Sequence, residues 1–166
     1  MMSLERIAME KGRPCYVSFK TALSYHGVIE ECPYNLMCAT LRDDFVLRCS
    51  LGLIEFIRVD EDCFFGYTEW TDPLGNPFLI AEPEKALLDW IMLCEERGYM
   101  IQLDEINWGA LSRAVVDEYA GRMGIDYKAY LPDPAELRAL SHPKYRMAAD
   151  ELERWLGGSY PEEQGG

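Results

Sequence analysis

Phe78-Leu79-Ile80-Ala81-Glu82-Pro83-Glu84-Lys85-Ala86-Leu87-Leu88-Asp89-Trp90-Ile91-Met92-Leu93-Cys94 changes its hydrophobic period midway. Phe78–Ile80 is a short apolar run of the kind that fills a buried strand, whereas beyond Pro83 the residues Ala86, Leu87, Ile91 and Cys94 recur along one helix face. Pro83 suits the first helical position, where a missing N–H costs nothing. Glu82 and Glu84 place negative charge at the positive end of the helix dipole. Gly98, after Glu95-Glu96-Arg97, supplies the left-handed residue that stops the helix. A strand feeding a capped helix marks the hinge between a β-rich first half, residues 15–81, and a helical second half, residues 82–158.

Upstream, Ser3–Lys11 reads as a short amphipathic helix with Gly12 as its stop. In Tyr16–Ile29, Ser18 is a natural N-cap, Phe19, Ala22 and Leu23 form an apolar face, and Gly27 ends the helix. Tyr34–Thr40 suits a buried strand. Phe45–Cys49 and Leu53–Val59 follow, joined by the hairpin turn Ser50-Leu51-Gly52. Cys63–Thr71 is aromatic and β-prone, and the turn residues Asp72–Pro77 lead back into Phe78–Ala81. Downstream, Trp108, Leu111, Val115, Tyr119 and Met123 predict one amphipathic helix over Glu105–Met123. Asp133-Pro134-Ala135-Glu136 is a capping box with proline at the first helical position. Pro143–Leu156 is the last helix, and residues 159–166 are expected to be a disordered tail. These elements predict a single α+β domain over residues 1–158. Short N-terminal helices and a mainly antiparallel, meandering sheet of about four or five strands precede a helical C-terminal half.

The bulk properties narrow the function. The 166 residues carry a net charge of −13, with 7 basic and 12 acidic residues up to Ala81 and 9 and 17 beyond it. Neither half has the basic run that phosphate backbones require, so direct binding of DNA is not expected. No apolar stretch approaches the ~18 residues of a membrane span, and the N-terminus lacks a signal-peptide core, which predicts a cytoplasmic protein. Six cysteines at positions 15, 32, 38, 49, 63 and 94 form no CxxC pair, and most of them, flanked by apolar residues, read as small buried hydrophobes.

Nothing in the chain assembles a familiar catalytic set. His26 beside Gly27 is a helix C-terminal position, without an oriented acid or nucleophile elbow. The pairs Asp43-Asp44 and Asp60–Asp62 sit on turns, where adjacent carboxylates diverge instead of converging on a metal. No catalytic residue, metal site or cofactor is therefore expected. Lys85 and Asp89 stand at i and i+4 and can pair on a helix surface. Either they decorate a solvated face, or Lys85 reaches strand-end carbonyls or joins Arg42 in a cationic spot.

Several blocks together resemble a known family. Tyr16-Val17-Ser18-Phe19-Lys20-Thr21-Ala22-Leu23-Ser24-Tyr25-His26-Gly27-Val28-Ile29, Thr40…Arg42, Leu51-Gly52…Glu55-Phe56, Phe64-Phe65-Gly66-Tyr67 and Ile80-Ala81-Glu82-Pro83-Glu84-Lys85-Ala86-Leu87-Leu88-Asp89 occur in that order. They are similar to the C-terminal domain of AbiEi-type antitoxins, from type IV abortive-infection toxin–antitoxin systems used in phage defence. The resemblance covers roughly residues 15–95 and marks Ser18, Thr40, Arg42, Glu84, Lys85 and Asp89 as motif positions. It implies a non-enzymatic antitoxin countering a nucleotidyltransferase-like toxin without a stable complex. Homo-oligomerisation is compatible with it. Family members typically also carry an N-terminal winged helix-turn-helix, for which the 15 residues before Tyr16 are too few. The alternative expectation is a transcription-regulatory interaction module acting with a separate DNA-binding protein.

Overall fold

In the computed structural model, which describes residues 2–101 and 103–157, the central strand of the sheet is its shortest. The strands are β1 (Cys15–Val17), β2 (Leu36–Thr40), β3 (Phe45–Cys49), β4 (Gly52–Arg58), β5 (Tyr67–Thr71) and β6 (Pro77–Ala81). They form one sheet in the order β3-β4-β2-β1-β6-β5. The pairs β1–β2, β3–β4 and β5–β6 are antiparallel, whereas β1–β6 and β2–β4 are parallel.

The α+β class stands, but the sheet is six-stranded and mixed, which corrects the expected antiparallel meander of four or five strands. The two hairpins were legible because their turns carry their own chemistry. Asp72, for example, accepts from the backbone N–H groups of Leu74 and Asn76 at 2.8 and 3.0 Å. The parallel pairings have no local signal, since they join segments far apart in the chain. β1 was also hidden, because Tyr16 and Val17 run straight into a helix.

The helices are α1 (Leu4–Lys11), α2 (Phe19–Tyr25), α3 (Pro83–Arg97), α4 (Arg113–Met123), α5 (Pro134–Arg138) and α6 (Pro143–Leu156). Phe19 enters α2 at φ 57°, the one positive φ outside glycine among the described residues. Such a conformation costs about 1–2 kcal/mol, which the near-complete burial of its side chain offsets. α4 begins at Arg113, not at Glu105, because Ser112 caps it by accepting from the Val115 N–H at 3.4 Å. The preceding residues make only a 3-10 turn at Trp108–Ala110.

α3 lies at the centre of the molecule. It packs against α2, α4 and β6, so Ala86, Leu87, Leu88, Ile91 and Leu93 are all buried, as are the charged Glu84, Lys85 and Asp89. Gly98 closes it at φ 68° with its N–H bonded to the Cys94 and Glu95 carbonyls. The core runs unbroken from Tyr16, Val17, Ile54 and Ile80 in the sheet to Trp108, Leu152 and Trp155 among the later helices. Among the described residues all six cysteines are free, and no helix is long and apolar enough to cross a membrane. The expected tail, residues 159–166, lies outside the described residues.

Candidate functional site

Four polar side chains from β1, its end and α3 close on one another beneath the sheet–helix junction. Lys85 and Asp89, one helical turn apart on α3, bring Nζ to 2.5 Å from Oδ1, and neither side chain meets solvent. The Tyr16 hydroxyl accepts from Lys85 Nζ at 2.9 Å and donates to Asp89 Oδ2 at 3.0 Å. Ser18 Oγ donates to the same oxygen at 2.6 Å. Asp89 thus accepts from three groups.

Burial pushes the Asp89 carboxyl up, while the Lys85 ammonium and the hydroxyls of Ser18 and Tyr16 pull it back. Burial and the Asp89 charge push the Tyr16 phenol well above its usual range, so it remains a neutral donor. Removing two charges from water is costly, and such a pair persists where additional hydrogen bonds satisfy the remaining lone pairs. Tyr16 and Ser18 do this here.

An aromatic cover lies over the network. The Tyr16 ring stacks on Tyr67 at 5.0 Å and meets the edge of Phe64 at 5.1 Å. Lys85 Nζ sits 5.0 Å from the Phe65 ring centre, and the Arg122 guanidinium sits 3.6 Å from it. Gly66, at φ 75°, lets the chain pass close above: a Cβ there would come within 3.0 Å of Lys85 Cγ. Its carbonyl accepts from the Glu82 N–H at 2.8 Å, and Glu82 in turn accepts from the Tyr119 hydroxyl at 2.8 Å. A ligand could touch Lys85 only if this cover moved. The arrangement locks α3 onto β1; it does not present a reactive group.

Of the six motif positions, the fold unites Ser18, Lys85 and Asp89, sends Glu84 elsewhere, and joins Thr40 to Arg42 at a second place. Glu84 points to α4, where Oε2 accepts from the Ser112 N–H at 2.8 Å and burial raises its carboxyl. Thr40 Oγ1 donates to the Gly12 carbonyl at 2.9 Å and accepts from the Arg42 N–H at 3.1 Å. Arg42 Nη1 donates to the Lys11 carbonyl at 2.6 Å, a cation at the C-terminus of α1.

Lys85 is therefore not solvated, and it forms no cationic spot with Arg42. Ser18 occupies the N-cap position of α2 without a side-chain cap bond, because its hydroxyl is engaged by Asp89. Tyr16 was missed as a participant, although a tyrosine in an apolar strand signals a hydroxyl in need of a buried partner. His26 Nε2 lies 2.7 Å from the Ala81 carbonyl, and its ring meets Trp70 edge-on. Among the described residues no three His, Cys, Asp or Glu side chains converge as metal ligands would.

Comparison with family models, with curated proteins and with solved structures finds no match to this chain.

Proposed function

We propose that this protein is a non-enzymatic, antitoxin-like component of an abortive-infection system, acting in the cytoplasm against a nucleotidyltransferase-like toxin without forming a stable complex with it. One observation carries the reading. Two of the blocks that carry the antitoxin resemblance, the one beginning at Tyr16 and the one ending at Asp89, lie about seventy residues apart yet supply all four members of one sealed network. Residues that resemble a family motif and also build a single internal joint support reading the blocks as one inherited unit. The full burial of Lys85 and Asp89 supports a scaffold, not a catalyst, since a reactive group must be reachable.

Growth rescue tests the proposal. The chain is co-expressed with the nucleotidyltransferase-like toxin that this reading expects in its genomic neighbourhood, and restored growth is expected. Continued arrest, with the protein folded and abundant, would favour the second reading, an interaction module serving a separate DNA-binding protein. The net charge of −13 favours that second reading over any direct contact with DNA.

A further inference from the structure

Two adjoining depressions of about 370 Å³ and about 290 Å³ share Ile29, Asp104, Glu105 and Ile106. Trp90 of α3 lines the first and Met147 of α6 the second. Two methionines on this groove stand far out of the surface, Met100 at 79% exposure and Met147 at 66%. Flexible, polarisable methionines suit a surface that adapts to apolar side chains.

The charges are lopsided. Lys20 pairs with Glu31 and Lys144 with Glu105, each at 2.8 Å, so both cations of the groove are neutralised. Among the described residues no lysine or arginine forms an ion pair with the remaining carboxylates, Glu30, Asp104 and Glu151, although the Glu30 charge acts on Lys144 and Glu151 accepts from the Gly109 N–H at 3.4 Å. None of the lining residues belongs to a strand, so the groove offers no sheet edge to an extended peptide. Its negative charge also repels phosphate backbones.

We propose that this groove is the docking site for a cationic amphipathic helix of a partner protein. Its apolar residues would pack on Met100, Met147 and the part of Trp90 that Lys20, 4.9 Å from the ring centre, leaves uncovered, and its lysines or arginines would pair with Glu30, Asp104 and Glu151. This inference does not depend on the antitoxin reading.

The test uses the full chain and labelled peptides of about 14 residues, followed by fluorescence anisotropy. One is a Lys/Leu peptide with leucines along one helix face, the second has the same composition scrambled, and the third replaces lysine by glutamate. Only the first should bind, and more weakly as salt rises. Glu30→Lys with Asp104→Lys, and separately Met147→Asp, should each weaken it about tenfold or more. Asp43→Lys with Asp44→Lys, on an acidic turn that lines neither depression, should leave it unchanged. Equal binding of the scrambled peptide, equal damage from the Asp43/Asp44 variant, or no binding by the first peptide would overturn the proposal. The groove positions substituted are on the surface or half-buried, and a thermal melt of each variant confirms that it is folded.

Discussion

At the junction of β1 and α3 an ammonium and a carboxylate are sealed from water with two hydroxyls around them, whereas between α5 and α6 Arg138 reaches Asp150 at 2.6 Å and Glu153 in the open. By contact geometry the two clusters are equally good. Their energetic weight differs because water screens the second and is excluded from the first. In the buried cluster each group depends on the others for solvation, so removing one strands the rest. In the exposed cluster water replaces any lost partner.

The largest effect should come from breaking the sealed pair. Asp89→Ala leaves the Lys85 ammonium buried without its carboxylate and should lower unfolding free energy by about 3–5 kcal/mol in urea denaturation. Replacing both, as Lys85→Met with Asp89→Leu, should recover part of that loss, because no charge is left buried, but not all of it, because the Tyr16 and Ser18 hydroxyls lose their shared acceptor. An Asp89→Ala protein that melts like the parent would show that water reaches the pair and would erase the contrast.

Asp72 sharpens the comparison from between the extremes. Burial works against its charge, but the Ser3 hydroxyl and the N–H groups of Asn76 and Leu74 outweigh it and hold the carboxyl below its usual range. A depressed folded-state value stabilises at pH above the unfolded value, about 3.9, and this is lost as pH falls through the folded value. The gap in denaturation midpoint between the parent and Asp72→Asn should therefore be constant near neutrality and shrink below about pH 4. A gap that persists unchanged into strong acid would mean that the hydrogen bonds do not favour the ionised form.

The smallest effect belongs to the exposed cluster. Arg138→Ala should leave the midpoint of thermal unfolding within error of the parent, and any residual difference should vanish in high salt. A large loss there would show that α5 and α6 are held together by charge more than by Leu137 and Leu152.

What was legible in the chain was what local chemistry writes. Pro83 and Gly98 bracketed α3, Gly12 closed α1, Asp133 capped α5, and both hairpins stood at their turn residues. The mixed sheet was not legible, because β1 is three residues long and its partner β6 is remote in sequence. The site divided along the same line. The i, i+4 spacing of Lys85 and Asp89 foretold their pairing, but not that α4 and the Phe64–Gly66 cover would seal it. Ser18 looked like a helix cap because its competitor for the hydroxyl, Asp89, lies 71 residues away.

The parallel pairing of β1 with β6 also sets a schedule for synthesis. Val17 aligns with Ile80, and the carboxylate that Tyr16 and Ser18 serve arrives later still, at Asp89. At translation rates of roughly 5–20 residues per second, β1 leaves the ribosome several seconds before its neighbour on that side exists. During that interval β2 is the partner within reach, and β1 waits with one edge bare. The nascent chain therefore passes through a stage in which the centre of the future sheet is its exposed border, and only the emergence of β6 ends it.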